Sequence, residues 1–157
     1  MTIKLLAIGK TDNKELQSLI DDYQKRLNFY IKFHFEIIPD LKKVKNLSEE
    51  QQKQKEGELI LNKINSSDAL ILLDENGKQF SSIDFAAWLS QRQLQHNGAF
   101  VFVIGGAYGF SSAVYDRAQF KLSLSKMTFS HQMVRMIFLE QLYRAFSILK
   151  GEPYHHA

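Results

Sequence analysis

The sequence predicts an α/β protein in which a mainly parallel central sheet carries helices on both faces. Three observations lead there. Residues 3–8, 69–73 and 99–104 are short apolar runs without polar alternation, the mark of strands covered on both sides. The stretches between them carry apolar residues at helical spacing. At 157 residues the chain can form one core and is too short for two comfortable ones, so a single domain over 1–157 is expected.

The first run stops at Gly9. Asp12 or Asn13 can then cap a helix to about residue 29, with Leu16, Leu19, Ile20, Tyr23 and Leu27 on one stripe. Ile31, Phe33, Phe35 and Ile37 alternate with Lys32, His34 and Glu36, a half-exposed strand halted by Pro39. Residues 41–58 are rich in Lys, Glu and Gln; Ser48 and Gln51 have capping-box spacing, so a helix is expected from there to residue 64. The run at 69–73 is the next strand, ending at Leu73-Asp74 with Gly77 making the turn. An amphipathic helix follows over 82–94 around Phe85, Trp88 and Leu89, and then the run at 99–104. Phe120, Leu122 and Leu124 alternate with Lys121, Ser123 and Ser125 as a fifth strand, and Ser130 caps a last helix over 131–149.

That last helix is apolar nearly all round, with His131, Gln132 and Arg135 in one sector and Glu140, Gln141, Arg144 and Ser147 roughly opposite. Such a helix needs cover on more than one side. We therefore expect a homodimer with this helix in the interface; a central core helix within a monomer is the alternative.

Composition narrows the function classes. No apolar run approaches the ~20 residues of a bilayer span and the N-terminus lacks a secretory pattern, so a cytoplasmic, membrane-free protein is expected. The absence of cysteine excludes thiol chemistry and Cys-ligated zinc. His155-His156 has no acid at ligand spacing, so no metal is expected, and a frayed tail is the usual reading of such an end. The net charge of +3 is too mild to announce a nucleic-acid binder, but residues 117–150 hold six Lys and Arg against Glu140 alone. That basic third suits phosphate contact, and a solvated helix face would have the same composition. Arg135 and Arg144 could grip phosphates or be salt-bridged interface residues.

Ile104-Gly105-Gly106-Ala107-Tyr108-Gly109 lies between a buried strand and a helix starting near Ser111 or Ser112, at the carboxyl edge of the sheet where open α/β folds bind ligands. The Gly-Gly-x-x-Gly spacing is neither the dinucleotide fingerprint nor a P-loop, and a plain strand-to-helix turn would use the same glycines. Lys126-Met127-Thr128-Phe129 forms a second loop at that edge and Leu73-Asp74 a third strand end, so three strand ends would converge on one pocket if the sheet is parallel.

Val101-Phe102-Val103-Ile104-Gly105-Gly106, Leu124-Ser125-Lys126-Met127-Thr128-Phe129 with His131-Gln132-Met133, Tyr143-Arg144-Ala145 and Gly151-Glu152-Pro153-Tyr154-His155 closely resemble the ribosomal large-subunit pseudouridine N3-methyltransferases. These are small members of the SPOUT class of trefoil-knotted methyltransferases. Ala7-Ile8-Gly9-Lys10 and Lys55-Glu56-Gly57-Glu58 also look like theirs, so the likeness spans essentially the whole chain. Two departures are Ser130, where the family usually has proline, and the terminal His156-Ala157, where a basic residue is usual.

The resemblance implies a homodimer with a knotted C-terminal half, a feature that generic topology rules would never suggest. It implies S-adenosylmethionine (SAM) held against Leu73, Gly105 and the loop of Leu124, Ser125, Lys126, Met127, Thr128 and Phe129. The expected reaction is attack of a pseudouridine N3 in 23S ribosomal RNA on the SAM methyl group, on an assembled ribosome. His155 is the candidate for proton handling, with Tyr154 and Arg144 orienting the base, from the subunit opposite the one holding SAM. A nucleotide-binding oxidoreductase and a non-enzymatic RNA-binding dimer are the rival readings.

Overall fold

The computed structural model describes residues 1–156, leaving Ala157 outside. Its strands are β1 (Thr2–Ile8), β2 (Lys32–Ile38), β3 (Ala69–Gln79), β4 (Phe100–Ile104) and β5 (Phe120–Ser123). They form one sheet in the order β2-β1-β4-β3-β5, every neighbouring pair parallel. The parallel α/β architecture expected from the apolar runs is thus present.

Helices α1 (Lys14–Leu27), α2 (Glu49–Leu61), α3 (Ser82–Gln95), α4 (Ser112–Arg117) and α5 (Met133–Leu149) cover both faces. Alternation along the central strands divides the core. Leu5, Ala7, Phe102 and Ile71 pack toward α1, α3 and α5; Leu6, Ile8, Val103 and Leu72 pack toward α2 and α4. The strands at 3–8, 69–73 and 100–104 read as unbroken apolar runs because both faces are dry.

Caps fall where the residue types dictate. Asn13 accepts from Leu16 N, and the Ser48–Gln51 capping box is complete in both directions. Ser130 also caps as expected, its Oγ accepting from Met133 N at 3.1 Å, although α5 proper begins at Met133.

Several sequence expectations are corrected. Gly77 does not make a turn. β3 continues past it, and Leu122 of β5 faces both Leu73 and Lys78, so residues 74–77 are an extra excursion bulging from the edge. Gly77 is needed there because a Cβ would lie 2.6 Å from the Lys121 carbonyl carbon, backbone against backbone. β5 ends at Ser123 rather than residue 125, since the chain curls locally: Ser123 Oγ donates to Ser125 O (3.0 Å) and Met127 N to Ser125 Oγ (2.9 Å).

α5 is covered over most of its circumference within a single chain, leaving Met133 and Leu149 exposed at its ends. It lies against α1, α3 and the sheet, burying Met136, Phe138, Leu139, Leu142, Ala145 and Phe146. Its polar sectors are satisfied internally as well. Gln132 accepts from Asp12 N and donates to Lys10 O, while Ser82 Oγ donates to Gln141. The apolar circumference of this helix is thus largely used within one chain, with Met133 and Leu149 left open to solvent.

Arg135 is 1% exposed; its guanidinium donates to Ile8 O (3.0 Å), Thr11 Oγ1 (3.1 Å) and His131 O (3.0 Å). It is an internal tie between α5 and the exit of β1, neither a phosphate grip nor a surface ion pair. Burial lowers its pKa, the cost of dehydrating a cation, with Asp40 and Asp12 opposing that shift.

The tail is not frayed. Gly151, at φ +69, turns the chain back along α5, the Glu152 amide donates to Ser147 O at 2.9 Å, and the Tyr30 hydroxyl donates to the Glu152 carboxylate. Among the described residues no helix is long and apolar enough to cross a membrane.

Candidate functional site

Because the sheet is parallel, all five strands leave it on one edge, and three of those exits surround a cleft of about 430 Å³. That volume lies within the range of small-molecule sites. Its walls are the β3 excursion from Leu73, the glycine loop after β4, and the segment from Leu122 through Phe129, with His131 and Val134 beneath. Leu73, Gly105, Leu124, Ser125, Met127, Thr128 and Phe129 all line it, while Lys126 stands outside the lining and exposed. Convergence of the three strand ends required only that the strands be parallel, which the sequence could suggest and the fold provides.

Each wall has a local cause. Gly109, at φ +83, closes a turn in which its amide donates to Gly106 O at 3.1 Å. Phe110 folds back so that a Cβ on Gly105 would lie 3.1 Å from its ring. In the excursion, Asp74 Oδ1 accepts from Asn76 N at 2.9 Å and Oδ2 from the Tyr115 hydroxyl at 2.5 Å. Burial first, and then Asp74, push the Tyr115 phenol up to about 12, keeping it a neutral donor. Thr128 Oγ1 donates to Glu75 Oε2 at 3.0 Å, tying the second loop to the excursion.

The charge of the lining is informative. It includes the carboxylates of Asp74 and Glu75 and the imidazole of His131, and neither Lys nor Arg. A pyrophosphate would meet two acids and no cation there, whereas a sulfonium would meet favourable charge. Leucines and Met127 supply the apolar surface that a planar adenine would need. The residues present therefore fit SAM better than a dinucleotide.

Behind the glycine loop lies a residue that periodicity did not single out. Glu56 of α2 is 5% exposed; a Cβ on Gly106 would sit 2.5 Å from its Oε1, which has no hydrogen-bond partner, while Oε2 accepts from Gln52 at 3.5 Å. The next residue, Gly57, lets α2 approach α4, since its Cβ would lie 2.4 Å from Ser111 Oγ. A glycine inside a helix costs roughly 1 kcal/mol against alanine. That cost was the available sign of a packing constraint.

Burial, and secondarily the charge of Asp40, raise the Glu56 pKa, with Gln52 opposing. The folded state therefore holds the proton more tightly than the unfolded chain, so this group favours folding at low pH and loses that contribution as pH rises above about 4. Glu56→Gln is expected to gain stability relative to the wild type as pH increases; parallel urea titrations across the acid range check this, and a pH-independent difference would contradict it.

Arg144, Tyr154 and His155 come together elsewhere, and none lines the cleft of its own chain. Arg144 pairs with Glu140 at 2.5 Å, lies 4.8 Å from the Tyr154 ring centroid, and has Nη1 3.1 Å from His155 Nδ1. Tyr154 donates to Glu140 at 3.0 Å and shares a hydrogen bond with Tyr23 at 2.9 Å. Burial, then the Tyr23 and Glu140 contacts, raise the Tyr154 pKa well above the ordinary phenol value. Since a guanidinium only donates, His155 Nδ1 is the acceptor in that contact. Among the described residues no three His, Asp or Glu side chains gather as a metal-binding group.

Comparison with known proteins extends these observations. The family described as "Predicted SPOUT methyltransferase" matches residues 1–155. Proteins named Ribosomal RNA large subunit methyltransferase H match over 156 residues, 99% of either chain: 67% identical in Flavobacterium johnsoniae, 56% in Parabacteroides distasonis and 50% in Bacteroides fragilis.

Proposed function

Since the chain belongs to the SPOUT methyltransferase family, we propose that it methylates N3 of a pseudouridine in 23S ribosomal RNA, using SAM bound in the strand-exit cleft. The reading comprises one domain over 1–157 with a knotted C-terminal half, acting in the cytoplasm as a homodimer on the assembled ribosome. The observation that carries the cofactor assignment is the lining: apolar walls and two carboxylates with no Lys or Arg. The names of the relatives support ribosomal RNA as the substrate.

Leu73, Gly105, Leu124, Ser125, Met127, Thr128 and Phe129 would hold the donor, with Lys126 contributing backbone between Ser125 and Met127. SAM supplies an electrophilic methyl group on a sulfonium. The protein's own task is to exclude water, align the base nitrogen and stabilise the anion left when the imide loses its proton. With Nδ1 accepting from Arg144, His155 can offer Nε2–H to that anion while the imide proton passes to water as the base enters. Arg144, held by Glu140, fixes that ring, and Tyr154 packs beside it.

Two observations support a dimer in which the tail of one subunit serves the cleft of the other. The Arg144–Tyr154–His155 cluster is ordered yet absent from the cleft of its own chain, and the cleft is rimmed by apolar residues open to solvent, with Met127 76% and Tyr108 45% exposed. Incubating unmodified ribosomes with methyl-labelled SAM and analysing the nucleosides tests the reading. We expect label in N3-methylpseudouridine; label in another nucleoside, or none, would overturn the assignment.

A further inference from the structure

Three of the six cations in the basic C-terminal third are engaged within the fold, while Lys121, Lys126 and Lys150 stay exposed at separate places along it. Arg135 is internal, Arg144 is engaged by Glu140, and Arg117 donates Nη2 to Asn65 O and Asp68 O, both at 2.9 Å. Several free cations within one short segment suit a polyanion better than scattered ones.

Such a segment lies at the carboxyl end of β2. Lys42, Lys43 and Lys45 are exposed, as is Lys10 at the exit of neighbouring β1, and none of the four has an acid within 4.0 Å among the described residues. By contrast Lys53 and Lys63 are spent on Glu50 and Glu36. Lys43 sits in the left-handed region at φ 60 and leads into a single 3₁₀ turn, Val44–Asn46. A hollow of about 400 Å³ is lined by Lys43, Val44, Lys45 and Asn46. The exposed acids close in sequence are Asp40, Glu49 and Glu50, the last paired with Lys53, and Asp12 near Lys10, so the four lysines keep a small positive excess.

Position makes this patch relevant. β2 is the outer strand of the sheet and its carboxyl end lies on the same edge as the cleft. Two strand spacings, about 10 Å, separate β2 from β4. We propose that the loop of residues 39–47 is a docking surface for the phosphate backbone of the ribosomal RNA substrate, contacted by Lys42, Lys43 and Lys45 with Lys10 beside them. The inference rests on the reading of the substrate above and adds the face that meets it.

The test is the salt dependence of ribosome binding by the full-length protein. In Lys42→Ala/Lys43→Asn/Lys45→Ala, asparagine tolerates the left-handed backbone. Removing three phosphate contacts should flatten the slope of log affinity against log salt by about two to three and weaken binding roughly tenfold or more near 0.1 M salt. SAM affinity by calorimetry should not change, which shows that the variant is folded. Lys4→Ala/Lys32→Ala, at the opposite edge of the sheet, should leave the slope intact. An unchanged slope in the triple variant, an equal loss in the control pair, or lysine dependence confined to anionic lipid vesicles would overturn the proposal. Lysine-dependent ribosome binding without methyl transfer would instead sink the reading of the reaction and leave the docking face standing.

Discussion

Co-expressing a chain truncated after Pro153 with a Gly106→Val chain is expected to restore about one quarter of wild-type methyl transfer, although each chain alone is almost inactive. The truncation removes Tyr154 and His155 and leaves the cleft untouched. Gly106→Val places atoms against Glu56, whose Oε1 lies 2.5 Å from where a Cβ would stand, and Glu56 is enclosed, so the loop must move into the cleft. We expect donor affinity to fall by about tenfold or more, because the walls of a preformed site must keep their spacing to bind. If the tail of one subunit completes the cleft of the other, half of randomly mixed dimers are heterodimers and each has one intact site, which is the origin of about one quarter. Activity no greater than that of the separate variants would show that cleft and tail act within one chain.

Arg135→Met is expected to lower stability by about 3 kcal/mol, through loss of three charge-assisted hydrogen bonds and the stranding of the buried Ile8 carbonyl. Methionine fills much of the same volume. The loss thus comes chiefly from Ile8 O, Thr11 Oγ1 and His131 O losing their donor. For a domain of this size the melting temperature should fall by roughly 6–12 °C. Because His131 and Val134 line the cleft from the start of α5, SAM affinity should fall as well. Arg135→Lys should recover only part of the stability, since one ammonium cannot reproduce a fork aimed at three acceptors. Scanning calorimetry with and without SAM checks both effects; a loss below about 1 kcal/mol, the scale of an ordinary surface change, would refute the role assigned to Arg135.

The legible parts of this protein were those governed by short-range rules. Runs such as Val101-Phe102-Val103 declare a strand dry on both faces, and Ser48 with Gln51 marks a helix start, because burial and capping act between near neighbours in sequence. The glycine loop and the segment of residues 124–129 could be placed at one sheet edge for the same reason, once the strands were taken as parallel. Gly77 was misread because a glycine chosen for close backbone approach carries the same letter as one chosen for a turn, and its Lys121 neighbour is distant in sequence. Glu56 escaped similarly, its meaning lying in Gly106, fifty residues away.

From sequence alone came the order of strands and helices, their caps, the motifs that resemble the methyltransferase family and the expectation of a site at the glycine loop. Tertiary structure alone decided which cations are free. Arg135, Arg144 and Lys42 all count equally toward the net charge, but one is internal, one is neutralised by Glu140 and one faces water. Charge in a sequence is additive, whereas its action depends on solvation and on partners brought close by folding, and that is why the three arginines of the basic third are engaged internally while the lysines at the end of β2, the docking face proposed above, stand free.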